Sequence, residues 1–388
     1  MLRCFYWVLP MLFLLSLSTC SSVKGSLLQR VGDEENPNTS GPDNGIYLIE
    51  NQIVQLTDGR SESQILPGSV SKKITLLVSQ PTTGDLDGDG TADTALLLVQ
   101  QHEGSGSFYY VTASLLRDGR HSGTNAVLLG DRIAPLSILI RKEQIVVLYS
   151  DRRVDESMVA TPTIVKARHF RIKDNRLEEH LVPAAADSRL VSGWLTLGHE
   201  VRSFQACHDT EPLWLLGNSP ALPEIKTAHS EALYLTPPYF PIFMMLSGVN
   251  ASRPSDGFGS HYGAAFHANR LVEADPRGYC KNELIEVVNP VPGSEFSSQV
   301  TVSGHARGSW YFEGDFPLLL TDAMGQVLAR GFATAQGPWM SSDWVPFSGT
   351  LQLPKKNNPD WGWIVFKKDN PSDKPELDAS ISIPVLLK

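Results

Sequence analysis

The chain has 388 residues, 41% of them hydrophobic, which is enough for two to four domains with sizeable cores. Its 31 glycines and 26 prolines, with few helical periodicities, favour a mainly β, multi-domain architecture. A net charge of −9 with no basic patch argues against nucleic acid as a partner, and against adhesion to anionic lipid by charge.

Arg3 precedes an apolar run, Phe5 to Leu17, that is short for a bilayer span and of signal-peptide length. The run ends in Leu17-Ser18-Thr19-Cys20. That ending resembles a bacterial lipoprotein lipobox. The resemblance implies a signal peptide over 1–19, lipidation of Cys20, and a mature chain anchored to a membrane by lipid. The alternative is an ordinary secretory signal cut nearby. Ser21 and Ser22 follow, with no aspartate beside the cysteine. By resemblance to sorted lipoproteins of double-membraned bacteria, this implies the outer membrane, facing the periplasm. The later apolar run Ala232 to Val249 is broken by Pro237, Pro238 and Pro241.

Residues 20–45 are rich in Ser, Gly, Asn, Pro and Asp, and read as a flexible tether. A sheet-based domain is expected over 46–183, with strands near Ile74–Val78, Thr94–Val99, Phe108–Leu116, Ala126–Leu129, Ile138–Ile140 and Ile145–Tyr149. Ala184 to Ser188 is small and polar, a plausible boundary. A second domain is expected over 190–282, and a third, again strand-like, over 285–388. In the third, Asp322 to Gln326 reads as a hairpin turn.

The sharpest local signal is Gly84-Asp85-Leu86-Asp87-Gly88-Asp89-Gly90-Thr91-Ala92-Asp93. Asp85, Asp87, Asp89 and Asp93 are spaced so that their oxygens can converge, with the Thr91 carbonyl as a further donor. Gly90 permits the tight turn. Hard oxygen ligands suit Ca²⁺. An EF-hand needs Glu at loop position twelve, where Leu96 stands. The loop resembles the shorter calcium loop of integrin-type propeller repeats, but one copy does not support a propeller. A bound ion would rigidify the turn; the alternative is a solvated Asp-Gly turn before the next strand. Together with Gly104 to Tyr110 and Leu129 to Arg132, the loop resembles part of an uncharacterised bacterial envelope domain. That resemblance implies an address and an architecture, and no activity.

Cys4 falls in the leader, so Cys20, Cys207 and Cys280 remain. With Cys20 lipidated, the last two form an even pair in an oxidising compartment and are expected to form a disulfide. A free reactive pair, or a metal site with His208, is the alternative. Gly193-Trp194-Leu195, Val201 to Cys207, Pro238-Tyr239-Phe240, Leu246-Ser247-Gly248 and Asp256-Gly257-Phe258 follow in an order similar to the C-terminal barrel-like domain of the copper-stress outer-membrane lipoproteins (NlpE-like). The resemblance implies a barrel-like middle domain. That family's N-terminal Cys-x-x-Cys region is absent, so copper or redox sensing is not carried over.

Val300 to Pro317, Gly337-Pro338-Trp339-Met340, Asp343 to Phe347 and Lys368 to Ser372 together resemble the immunoglobulin-like domain of bacterial spore germination. The resemblance implies a β-sandwich used as a binding or accessory module, and no role in spores. The module is expected to fold alone. Trp310 belongs to the same motif, and Trp339, Trp344, Trp361 and Trp363 are candidates for a binding surface or for the sandwich core. Trp361 and Trp363 alternate along one strand and share a face. Arg307 and Glu313 are candidates for a surface pair.

Catalytic signatures are missing: no His-Glu-x-x-His, Gly-x-Ser-x-Gly or phosphate loop occurs. Ser69-Val70-Ser71-Lys72 lacks its companion motifs. The expected function is therefore non-enzymatic: an outer-membrane lipoprotein that binds or scaffolds an envelope protein or a cell-wall ligand. The alternatives are a cell-wall hydrolase or inhibitor, and an envelope-stress sensor.

Overall fold

The computed structural model describes residues 41–388, apart from 66–70, 79, 103–105, 181–187, 208, 234–235, 354–358 and 373. The expected signal peptide, Cys20, the expected tether as far as residue 40, Ser69, most of the expected boundary at 184–188, and His208 lie outside the described residues.

The fold is mainly β. A hairpin, Ile46–Ile49 with Gln52–Gln55, covers one face of a seven-stranded sheet. The central strands of that sheet are β1 (Lys72–Leu77), β2 (Asp93–His102) and β3 (Ser107–Arg117), all antiparallel. Strand β2 is buried from Asp93 to Gln100, because both its faces are covered. Leu96 and Leu98 pack on Tyr47, Ile49, Val54 and Leu56 of the hairpin. Ala95 and Leu97 point the other way, toward Ile145, Val147, Tyr149 and Phe170. The period of two along a strand makes this split unavoidable.

Those four residues belong to an antiparallel meander of β4 (Ala134–Arg141), β5 (Gln144–Asp151) and β6 (Ile164–Lys173). Strand β5 repeats the device. Ile145, Val147 and Tyr149 face the first sheet, while Val146 and Leu148 face the next layer.

That layer is a closed five-stranded barrel: β7 (Arg189–Leu197), β8 (Arg202–Ala206), β9 (Leu213–Leu215), β10 (Ile242–Ala251) and β11 (Ala264–Asp275). Round the barrel the order is β7-β8-β9-β11-β10, closed by β7 on β10. The pair β9–β11 is parallel, and helix α1 (Leu222–Ala232) connects β9 to β10. This is the strand order of an OB-type barrel. The barrel-like middle domain is therefore present, but its sheet does not stop at the expected boundary. Val165 and Lys166 of β6 pair with Ala274 and Glu273 of β11, so one sheet runs from the first domain into the second. Arg141 and Glu224 reinforce the junction with a 2.9 Å ion pair.

The C-terminal part is one curled eight-stranded sheet. It contains β12 (Ile285–Asn289), β13 (Gln299–Arg307), β14 (Asp315–Asp322), β15 (Val327–Ala335), β16 (Trp344–Gln352), β17 (Trp361–Lys367) and β18 (Ser380–Leu387). Its core is aromatic: Trp310, Phe316, Phe347 and Phe366 are each buried. The β14–β15 turn forms as expected, with Asp322 Oδ1 accepting the amides of Met324 at 2.9 Å and Gln326 at 2.8 Å.

Candidate functional site

The acidic loop precedes β2 and is ordered by its own side chains. Gly88 and Gly90 take positive φ, +80° and +83°, which glycine adopts without strain. Asp85 accepts the amides of Gly88 (2.7 Å) and Gly90 (3.0 Å), and Asp89 accepts that of Thr91 (2.7 Å). One oxygen each from Asp85, Asp87 and Asp89 lie within 4.8 Å of one another. Three of the five expected calcium donors therefore converge. Asp93 is turned inward: its two oxygens accept the amides of Leu86 (2.9 Å) and Leu116 (2.8 Å). Burial, more than the neighbouring aspartates, pushes its carboxyl pKa up. Arg117 supplies positive charge from the flank, its Nε donating to Asp87 at 3.0 Å.

Cys207 follows β8 and Cys280 follows β11, with Cα atoms 5.3 Å apart in a disulfide. The bridge ties the barrel to the segment that leads into β12.

The tryptophans divide. Trp361 and Trp363 share a face of β17, as their spacing predicts, but that face is closed. Trp363 meets Trp194 of the barrel at 5.3 Å between ring centroids, and Trp361 meets Phe240 at 5.7 Å. With Leu386 they join the barrel core, so they are not an open binding surface. The burial of apolar area between two modules places them there. The C-terminal module thus keeps a core of its own and also contributes to that of its neighbour. Trp339 is half-buried on its own module's core. Trp344 remains 40% exposed, with the Arg307 guanidinium 4.3 Å above its ring. Arg307 also donates to the Ser342 carbonyl at 2.9 Å. It therefore pairs with the 342–344 segment, not with Glu313. Phe332 and Met340 are exposed on the same module.

In the middle domain the sequence singles out Cys207 and Cys280, with His208, and no residue of α1. The structure buries His229 of α1 there, and burial lowers its pKa to about 4. Its ring donates to the Leu195 backbone carbonyl, and Nε2 has no partner among the described residues. A groove beside the disulfide holds Glu273 and Asp275. Burial, then Asp275, raises the Glu273 pKa. Asp275 is committed to the Arg153 guanidinium and to the Arg277 amide. No residue pattern in the sequence marks either place, since what surrounds His229, Glu273 and Asp275 comes from elements distant in the chain.

Comparison with known families decides the C-terminal part. Residues 284–374 match the immunoglobulin-like domain of bacterial spore germination. The module is immunoglobulin-like. The matched residues end before β18, although β18 pairs with β17 along its whole length, from Trp361↔Leu386 to Lys367↔Ser380. A comparison with curated proteins finds no match.

Two outcomes follow from the geometry. Trp361→Ala should cost about 3–5 kcal/mol, as large core truncations do, and should shift the urea midpoint of the barrel as well as its own module. Trp344→Ala should cost about 1 kcal/mol or less, the scale of an exposed cation–π contact. Equal losses in the two variants, read by urea denaturation, would contradict the division. For His229 burial holds the folded pKa below the ordinary 6.5, at about 4. Stability from its neutral form is complete above 6.5 and is lost as pH falls toward 4. The contribution is about 3 kcal/mol at most, at 1.36 kcal/mol per unit. His229→Gln should flatten the urea midpoint between pH 6.5 and 4; an unchanged slope would refute the assignment.

Proposed function

We propose that this chain is a lipid-anchored module of the bacterial outer membrane, facing the periplasm, that binds or scaffolds an envelope protein or a cell-wall ligand without catalysis. The observation that carries this reading is the immunoglobulin-like module at the far end of the chain from the leader. It presents Trp344 beneath Arg307, with Phe332 and Met340 also exposed. Rigid aromatic area with a fixed guanidinium is the side-chain chemistry of protein-binding surfaces. Its fused attachment to the barrel supports transmission of position from anchor to binding face. The middle barrel supports the reading of kinship with the NlpE-like lipoproteins, whose resembling motifs here are Gly193 to Leu195, within β7, and Val201 to Cys207, which spans β8.

The reading needs Cys20 lipidated. Cys20→Ala should move the protein from the membrane to the soluble periplasmic fraction. Unchanged membrane fractionation would end the lipoprotein reading. A crosslinking pull-down from envelope extract then tests the binding face. Trp344→Ala should lose the captured partner, and equal capture by wild type and variant would remove the face.

The acidic loop is proposed as a structural Ca²⁺ site. Asp85, Asp87 and Asp89 would hold the ion, with the Thr91 carbonyl as a further donor and Arg117 displaced from Asp87, while Asp93, expected as a ligand, would instead brace the loop from beneath through the Leu86 and Leu116 amides. An ion there supplies charge neutralisation and a rigid turn at the start of β2. Binding to the folded state alone adds about 2.7 kcal/mol at a hundredfold excess over Kd. The melting temperature should rise from EDTA to millimolar calcium, and identical values would exclude the site.

A further inference from the structure

We propose that the cleft bounded by Arg202, Lys226 and His229 on the barrel is a receptor for a carboxylate-bearing ligand that also carries a hydrogen-bond donor. The inference rests on the reading of this chain as a binding module, and adds a second, small-molecule site remote from Trp344.

The cleft has a volume of about 460 Å³, within the range of small-ligand sites. Its floor is built before any ligand arrives. Arg202 opens β8, and its guanidinium lies over the Trp214 ring at 4.6 Å. The indole holds the planar fork in one orientation. Gly217 makes room for it: a Cβ there would come within 2.6 Å of Arg202 Nη1. Among the described residues Arg202 has no carboxylate partner within ion-pair distance and no acceptor for its guanidinium N–H groups. A guanidinium that is held in place and lacks an acceptor is suited to a carboxylate, which it can bind through two parallel hydrogen bonds.

Lys226 and His229 stand three positions apart on α1, so they project from the same side of the helix. Lys226 is exposed and adds a second positive charge at the mouth. His229 is 3% exposed and lines the inner wall. Its Nδ1 serves the Leu195 carbonyl, so the partnerless Nε2 presents a lone pair. A buried acceptor of this kind calls for a donor such as a hydroxyl or an amide N–H. Phe258, 51% exposed, supplies an apolar side wall. Glu200 is the carboxylate of the lining, and it lies 3.8 Å from His199. The cleft is therefore locally cationic on a chain whose net charge is −9. A carboxylate with a neighbouring N–H or O–H satisfies Arg202, Lys226 and His229 together. A sulfate dianion would satisfy the cations, but it brings no donor to Nε2.

Two sources share this chemistry in an envelope, an acidic sugar and a peptide C-terminus. The test is isothermal titration of the mature chain in detergent with N-acetylmuramic acid and with N-acetyl-D-alanyl-D-alanine. N-acetylglucosamine serves as the neutral control and sulfate as the second, donor-free anion. At least one of the two acids should bind, with both controls at least about tenfold weaker, a difference of about 1.4 kcal/mol. Arg202→Gln should weaken that binding at least about tenfold, with Arg202→Lys intermediate because it keeps the charge and loses the fork. The circular dichroism and melting temperature of each variant establish that it is folded. The proposal is overturned if neither acid binds, if sulfate binds as tightly as the acid, or if folded Arg202→Gln binds as the wild type does. Acid binding that survives in Trp344→Ala separates this cleft from the partner-binding face. Loss of partner capture alone leaves the cleft intact.

Discussion

The alternation of side chains along strands with two covered faces is the constraint on which this molecule depends. On β5, Ile145, Val147 and Tyr149 serve one core, while Val146 and Leu148 serve the next. Strand β2 does the same between the hairpin and the meander. Neither strand can slip by one residue without exchanging the contents of two cores. The layers are thus registered against one another by the pleat of single strands, and the ladder from β6 to β11 carries that register into the barrel.

The barrel core is completed from outside. Trp361 and Leu386 come from the immunoglobulin-like module, and Val146, Leu148 and Val165 come from the meander. A core assembled from three parts of the chain gains buried area that none of them could supply alone. The disulfide lies at the crossing from barrel to module and shortens the free segment between them.

The elements of this fold were largely legible in the sequence. Apolar runs such as Ile145 to Tyr149 and Phe108 to Leu116 mark strands, and Asp322 to Gln326 marks its turn, because turn chemistry and pleat period act locally. The division into three domains was less legible, since the ladder between Val165 and Ala274 spans more than a hundred positions and leaves no local trace. The same reason governs the sites. The spacing Asp85, Asp87, Asp89 brings its oxygens together as expected. The fate of Asp93 depends on the Leu116 amide, delivered by the neighbouring strand. Trp361 and Trp363 were legible as one face of a strand, but what covers that face comes from Trp194 and Phe240. The cleft draws Arg202, Trp214, Lys226, His229 and Phe258 from two strands, an α-helix and a short 3-10 helix, and only closure of the barrel brings them together.

The last strand has a practical consequence for anyone who cuts this chain. The residues that match the family end at 374, whereas β18 runs from Ser380 to Leu387. A fragment trimmed to the family's limits would leave the outer edge of β17 with unpaired amides and carbonyls beside two uncovered indoles. Such an edge is a template for strand addition by a second molecule. Insoluble or fibrous material from that fragment would reflect the position of the cut and would say nothing against the module's fold in the whole chain.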